Sequence, residues 1–149
     1  MPLELINPDD LPVPEMYTQV VVATGSKLVF VSGQQPEDIC GKLVGHGDFA
    51  AKARLAFGNL GRALSAAGAR PDQVCKITIY IVDYKRDEHV PIIEEAQISL
   101  FGDHKPANVV VACVHARSGV AVGMHFLGDM RLPDACRYPK PLRTFGRQA

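Results

Sequence analysis

Two polar side chains stand out near the C-terminal end of the sequence, within a region that is otherwise mostly apolar. Asn108 and His125 lie near the two ends of residues 105–126, which read KPANVVVACVHARSGVAVGMHF. An imidazole can act as a general acid or base near neutral pH, and a carboxamide both donates and accepts hydrogen bonds. The simpler interpretation places Asn108 at a solvent-exposed edge of a sheet and leaves His125 half-buried, with its ring hydrogen-bonded to the backbone.

Other residues that can take part in chemistry give weaker signals. Ser32, in the sequence VSGQ, ends an apolar run, where a serine more often binds backbone than a ligand. Neither the G-x-S-x-G motif of a nucleophile elbow nor the G-K-[ST] motif of a phosphate-binding loop occurs in the sequence. Cys113 and His115 share one strand face, but no CxxC spacing or helical histidine pair accompanies them, so no metal site is predicted.

The first half of the chain predicts a β-hairpin followed by a helix, after an irregular, proline-rich arm over residues 1–16. The hairpin strands are TQVVVA and KLVFVS, and Gly25-Ser26 between them fits a type II′ turn. From Asp48 the apolar period lengthens to about 3.6 and predicts a helix that begins at this N-cap and ends at Gly68. The apolar face of that helix comprises Phe49, Ala53, Phe57, Leu60, Leu64 and Ala67.

The second half predicts a strand, a helix and a final hairpin. The strand VCKITIYIVDY alternates, so that three isoleucines share one face. The helix HVPIIEEAQISLF has Pro91 in its first turn and Gly102 after its last residue. The hairpin pairs residues 108–115 with 119–127. The order ββ-α-β-α-ββ predicts an α+β fold in which a mixed sheet carries two helices on one face.

The totals are those of one small globular domain. The chain has 149 residues, of which 47% are hydrophobic and 21% charged, and we expect a single domain over residues 1–128 with an irregular tail over 129–149. A formal net charge of zero argues against nucleic-acid binding. No apolar run is long enough to span a membrane, and the start MPLELINPDD has no secretory signal, so a cytoplasmic protein is expected. No cofactor is predicted.

Three segments together resemble the RidA/YjgF family of reactive-intermediate deaminases. They are YTQVVVATGSKLVFVSGQQP, ARLAFGNLGRALSAAGARPDQVCKITIYIVDY and FGDHKPANVVVACVHARSGVAVGMHF, and the resemblance covers about residues 14–128. It implies a chorismate-mutase-like fold and a homotrimer with clefts between its subunits. It also implies hydrolysis of small enamines and imines to keto acids and ammonia, with an arginine that binds the substrate carboxylate and a glutamate that serves the hydrolysis.

Matched position by position, the resemblance assigns a candidate site. The family's tyrosine matches Tyr17, and the serine and glycine of its S-G-Q motif match Ser32 and Gly33. The family's arginine falls at Asn108 and its glutamate at His125, so both of these charged positions differ here. Asparagine is neutral, whereas arginine offers a charged, bidentate fork to a carboxylate.

A polar pocket residue of the family falls near Glu94, which by itself would be taken for part of a solvated helix face. A site with Glu94, Asn108 and His125 suits a neutral or positively charged ligand better than an anionic one. Arg117, by default a residue of the bend, or an arginine of the tail (Arg131, Arg137) can restore a positive charge.

Three hypotheses for function follow. In the first, His125 acts as acid or base on a C=N compound, with Glu94 and Tyr17 assisting, while Asn108, Ser32, Gly33 and Arg117 bind the substrate. The second is a non-catalytic trimer that binds a metabolite or a protein. The third, an RNA-acting protein, is opposed by the neutral charge.

Overall fold

The computed structural model describes residues 3–25 and 27–113, together with the backbone of residues 120–125. Within these residues two α-helices and several β-strands alternate, which confirms the predicted α+β class. In chain order they are β1 (Glu4–Ile6), β2 (Val20–Val22), β3 (Phe30–Gln34), α1 (Phe49–Ala66), β4 (Lys76–Val82), α2 (Arg86–Phe101), β5 (Ala107–Cys113) and β6 (Val120–His125). A short 3₁₀ turn over Pro71–Gln73 leads into β4.

Strand β4 lies inside a four-stranded sheet with the order β3-β6-β4-β5. β5 runs parallel to β4, while β6 runs antiparallel to both β4 and β3. Ile77, Ile79 and Ile81 of β4 are fully buried, as their spacing predicts. A strand buried in this way needs a hydrogen-bonded neighbour on each side. The hairpin predicted for 108–115 and 119–127 is therefore wrong, because β4 lies between its two strands.

The N-terminal strands also pair differently from the prediction. β2 pairs with β1 in a separate two-stranded sheet, and β3 pairs with β6, so the predicted hairpin is wrong, as is the prediction of an irregular arm. Side chains close the β1–β2 connection: the Gln19 N–H donates to Asn7 Oδ1 at 2.9 Å, and Gln19 Nε2 donates to the Pro12 carbonyl at 2.9 Å. These local bonds hold β2 beside β1. Ser26 of the predicted turn lies outside the described residues.

Helix α1 begins and ends where the sequence predicts. Asp48 Oδ1 accepts a hydrogen bond from the Ala51 N–H at 2.9 Å, and Gly68 has a φ of +68° just beyond the helix. Helix α2 begins at Arg86, three residues before the predicted start, so Pro91 lies in its second turn and not its first. Neither of the described helices is long and apolar enough to cross a membrane.

Both helices cover the same face of the four-stranded sheet, as predicted. The β4 isoleucines form one buried cluster with side chains of both helices: Ala53, Ala56, Phe57, Leu60 and Leu64 of α1, and Ile93, Ala96 and Phe101 of α2. The opposite face of the sheet carries exposed apolar side chains, among them Tyr80 and Val109, which are 41% and 43% exposed.

The buried face of β4 is expected to dominate the stability of the chain. Ile79→Ala should lower the free energy of unfolding by about 2–5 kcal/mol, because it leaves a cavity among fully buried side chains. Ile98→Ala removes the same atoms from a side chain that is 56% exposed, and should change it by less than about 1 kcal/mol. Urea denaturation followed by circular dichroism measures both, and equal losses would contradict the central place of β4.

Candidate functional site

A cavity of about 370 Å³ opens at the β5 edge of the four-stranded sheet, between β5, α2 and the N-terminal segment. It is lined by Met16, Tyr17, Ile81, Tyr84, Arg86, Val90, Ile93, Glu94, Gln97, Asn108 and Val110. Three of the residues that the sequence singles out, Tyr17, Glu94 and Asn108, therefore meet in one place. The volume is of the size that takes a small molecule.

One stripe of α2 forms the longest wall of the cavity. Positions 86, 90, 93, 94 and 97 all contribute, and this spacing of four, seven, eight and eleven residues follows a single helix face. Along the stripe a guanidinium comes first, two apolar side chains follow, and a carboxylate and a carboxamide come last. The wall is thus polar at both ends and apolar in the middle.

Tyr17 reaches the cavity because the residue after it is fastened to the start of β5. Thr18 is 3% exposed. Its Oγ1 donates to the Lys105 carbonyl at 2.6 Å, and its N–H donates to the Pro106 carbonyl at 3.4 Å. These two bonds hold the N-terminal segment against the sheet edge, so the phenol of Tyr17 lies close to β5.

Asn108 and Gln97 join β5 to α2 through their carboxamides. Asn108 Nδ2 donates to Gln97 Oε1 at 3.1 Å, and Gln97 is 5% exposed. Asn108 Oδ1 is buried and accepts no hydrogen bond within the described residues. An unpaired buried carbonyl destabilises a fold by about 1–3 kcal/mol. Such a group in a cavity wall points to a role other than stability.

The first turn of α2 is held in place by local contacts. Asp83 has a φ of +52°, a conformation that aspartate tolerates better than most residues, and it turns the chain from β4 into α2. The Lys85 N–H donates to His89 Nδ1 at 3.1 Å, and the His89 ring stacks on Phe49 with centroids 4.1 Å apart. These contacts fix the backbone that carries Arg86 to the cavity.

The cavity contains one positive and one negative side chain among its described lining residues, Arg86 and Glu94. Neither makes a hydrogen bond or an ion pair within the part of the chain that the structure describes. Glu95, the next residue, is 71% exposed in its side chain and lies 3.8 Å from Arg54. Glu94 is half-buried, so it differs from the solvated-face residue that the sequence alone suggests.

Sequence reasoning missed three polar lining residues: Tyr84, Arg86 and Gln97. Arg86 is missed because the sequence pattern predicts a helix that starts at His89, which leaves Arg86 outside that helix. A helix that begins at Arg86 puts it on the same face as Glu94, eight residues later. Glu94 and Gln97 are three residues apart, and this spacing likewise places both on one face of the helix.

Ser32 and Gly33 lie at the other edge of the same sheet. The pairing of β3 with β6 shifts register between Val31 and Gln34, so both residues fall within the irregularity, and both are exposed. Strands β6 and β4 separate β3 from β5. At a strand spacing of about 4.8 Å, three steps across the sheet are on the order of 14 Å. Within one chain, Ser32 and Gly33 therefore do not reach the cavity.

His125 ends β6, and its side chain lies outside the described part of the structure. The register places its backbone opposite Lys76, which pairs on its other side with Ala107, the neighbour of Asn108. The role predicted for His125 stays a prediction.

Arg117 and the tail over residues 129–149 also lie outside the described residues. Their predicted roles, and the domain boundary at residue 128, remain predictions. In residues 3–25 and 27–113, no three His, Cys, Asp or Glu side chains are grouped so that they could hold a metal ion.

Comparison with known proteins gives consistent matches in sequence and fold. Residues 9–127 match the family described as Endoribonuclease L-PSP. A RutC family protein of Pyrococcus horikoshii is 30% identical over 109 residues, which cover 72% of this chain and 82% of that protein. YyfB of Yersinia pestis, from the Rid protein family, has a TM-score of 0.78 at 21% identity, covering 85% of this chain and 99% of its own. RidA of an Antarctic Psychrobacter species has a TM-score of 0.59 at 21% identity, with coverages of 83% and 98%.

The class defined by these matches is that of small α+β proteins built like the Rid proteins. The chain belongs to the Endoribonuclease L-PSP family, which is the YjgF/RidA family. The resemblance seen in the three sequence segments is therefore confirmed.

The bond between the two carboxamides is expected to show in a double-mutant cycle. Gln97→Leu should lower the free energy of unfolding by about 1–3 kcal/mol, because the Asn108 amide loses its partner. Asn108→Leu should cost less, since it also removes the unpaired Oδ1. The double variant should lose less than the sum of the two single losses in urea denaturation. Additive losses would show that the two amides do not interact.

Proposed function

We propose that this chain is a small-molecule enzyme that acts on an imine, an enamine or a related C=N compound. The observation that carries the proposal is that Tyr17, Glu94 and Asn108, from three separate segments, line one cavity of about 370 Å³. Hydrolysis of a C=N bond consumes one water and yields a carbonyl compound and ammonia, so the reaction needs acid–base groups and no cofactor. Cyclisation or tautomerisation of a similar compound would need the same groups.

Each residue has a role that follows from its chemistry. The Glu94 carboxylate faces the imine nitrogen and stabilises the protonated form of the imine. Protonation makes the adjacent carbon more open to attack by water. Asn108 holds the substrate by hydrogen bonds, and the Tyr17 phenol positions the water or the substrate. His125 transfers the proton between the attacking water and the leaving nitrogen.

The complete site is proposed to form between the subunits of a homotrimer. Ser32 and Gly33 lie at the β3 edge of the sheet and Asn108 at the β5 edge, so one chain holds two separated parts of the predicted site. In a cyclic oligomer with head-to-tail contacts, one edge of each subunit meets the other edge of the next. The sheet face opposite the helices, with the exposed side chains of Tyr80 and Val109, supplies apolar surface for such contacts.

Mixed oligomers test the shared site. Light scattering should give three chain masses, and Asn108→Ala and Ser32→Ala, which alter the two separated parts of the site, should each be inactive alone. Co-expression of the two variants should restore roughly a quarter of the wild-type activity, because one in four sites of a random mixed trimer takes both intact residues from neighbouring subunits. Each variant co-expressed with itself is the control. A monomer, or no recovery in oligomers shown by mass spectrometry to be mixed, would contradict a site shared between subunits.

The acid–base roles are tested by turnover of imines generated in solution by an amino-acid oxidase, with ammonia release as the readout. Glu94→Gln and His125→Gln should each slow turnover by roughly 100-fold or more, because each removes a proton-transfer or charge-stabilising group. Glu95→Gln, one position further along α2 and outside the cavity, is the matched control and should keep full activity. If Glu94→Gln behaves like Glu95→Gln, Glu94 has no part in the chemistry.

A non-catalytic metabolite- or protein-binding trimer is the alternative. It is motivated by the absence of the family's arginine and glutamate at positions 108 and 125. Saturable binding of a ligand without any chemical change, across the same panel of imines, would favour this alternative over the enzyme. The cytoplasmic location stays a prediction under either function.

RNA cleavage is suggested only by the description of the family. The formal net charge is zero, and the described cavity lining has one arginine balanced by one glutamate. An RNA backbone needs several cationic contacts, which also make binding weaken steeply with salt. The imine panel therefore includes a single-stranded RNA, and cleavage of that RNA without imine turnover would replace the proposed function.

A further inference from the structure

The wall between β5 and α2 holds two carboxamides that use only half of their hydrogen-bonding groups. Asn108 Nδ2 donates to Gln97 Oε1 at 3.1 Å. The other two polar groups of the pair, Asn108 Oδ1 and Gln97 Nε2, make no hydrogen bond within the described residues. Both residues line the cavity, and Gln97 is 5% exposed. The pair therefore leaves one acceptor and one donor unused in the cavity wall.

The stability of the fold does not explain this pair. A buried amide with an unpaired group destabilises a fold relative to apolar side chains of the same shape. Asn59, on α1, shows the ordinary structural use of a carboxamide: its Nδ2 donates to the Gln35 and Glu37 carbonyls at 2.8 and 2.9 Å, and its Oδ1 accepts from Arg62. A half-used pair beside a cavity is better explained by what it binds.

The unused groups are complementary to an amide. The N–H of a ligand amide can donate to Asn108 Oδ1, while its carbonyl accepts from Gln97 Nε2. A carboxylate or an ester has acceptors only, and a protonated imine has donors only, so neither satisfies both groups. Asn108 Oδ1 is buried in the free chain. It meets the ligand when the carboxamide turns about its Cβ–Cγ bond, a torsion that is broad in asparagine.

The charges along α2 favour a neutral group at this place. Glu94 and Gln97 are three residues apart on one helix face, where Cβ atoms lie about 5–6 Å from each other. Arg86 lies eleven residues before Gln97, roughly 16 Å along the helix axis. A carboxylate bound to the amide pair is thus repelled by the nearer charge and attracted only by the distant one. A carboxamide does not experience this repulsion.

We propose that Asn108 and Gln97 bind a carboxamide of the substrate and select it over a carboxylate. With the C=N group facing Glu94, one helical turn away, the substrate class is an imine or enamine that carries a carboxamide on a neighbouring carbon. This inference rests on the proposed function for the C=N group, but the selection of an amide does not depend on turnover. It sets this chain apart from the acid substrates that the family resemblance implies.

The test compares three ligands with one keto skeleton: pyruvamide, methyl pyruvate and pyruvate, which end in an amide, an ester and a carboxylate. Dissociation constants for the full-length chain come from NMR shift titrations. Wild-type protein should bind pyruvamide roughly 10- to 100-fold more tightly than methyl pyruvate, because the ester leaves Asn108 Oδ1 without a donor. It should also bind pyruvamide more tightly than pyruvate, which Glu94 repels.

Two variants assign the selection to the pair. Asn108→Leu removes the acceptor while keeping a side chain of similar size, so it should bind pyruvamide and methyl pyruvate alike. Asn59→Leu is the matched control, because it removes a half-buried carboxamide that holds the Gln35 and Glu37 backbone outside the cavity. It should keep the wild-type preference for pyruvamide.

The inference is overturned if wild-type protein binds methyl pyruvate or pyruvate as tightly as pyruvamide, if Asn108→Leu keeps the preference, or if Asn59→Leu loses it equally. The comparison of ligands on wild-type protein needs no variant, so it decides the question even where Asn108→Leu does not fold. A chain that hydrolyses imines but fails this test keeps its proposed function and loses only the amide selection. A chain that prefers pyruvamide but turns over no imine keeps the amide site and loses the proposed function.

Discussion

Burial of the β4 isoleucine face under both helices is the constraint on which the rest of this fold depends. Because Ile77, Ile79 and Ile81 are fully buried, α1 and α2 must lie side by side on one face of the sheet. β4 then takes β5 on one side and β6 on the other, so β5 becomes an edge strand. Among the described strands none pairs with the outer edge of β5, and α2 lies over this edge, so the space beside Asn108 stays open as the cavity.

Helix α2 serves both the core and the cavity, and this explains why its sequence has a weak apolar pattern. Ile93, Ala96 and Phe101 are buried in the core. Positions 86, 90, 94 and 97 line the cavity with charged, apolar and amide side chains. A helix that divides its faces between a core and a polar cavity cannot show the simple apolar stripe of a surface helix. The polar residues that line the cavity therefore interrupt the apolar periodicity of α2.

The sequence predicts the bounds of an element well where they depend only on residues close to it in the chain. Asp48 and Gly68 bound α1 because capping depends on residues close in sequence. Strand partners could not be predicted in the same way, since both edges of an apolar strand are equivalent until the helices are placed. β2 and β3 therefore separate although a fitting turn joins them. Asn108 stands out in the sequence as a polar residue in an apolar strand, whereas Tyr17 and Glu94 are assigned to the site by the family resemblance. Arg86 is missed because α2 begins three residues before its predicted start.

The asparagine at position 108 is neutral, but the cavity still has two charged lining residues, Arg86 and Glu94. Asn108 bonds to Gln97 with one of its two polar groups, and this leaves its carbonyl oxygen buried without a partner in the described residues. Beside a half-buried carboxylate, this wall is suited to a positively charged or donating group. The positive charge of the cavity lies instead on Arg86, a long and exposed side chain that stays hydrated until a ligand replaces the water. Separating the two charges in this way gives the cavity a polarity along α2, which a site with both groups at one end would lack.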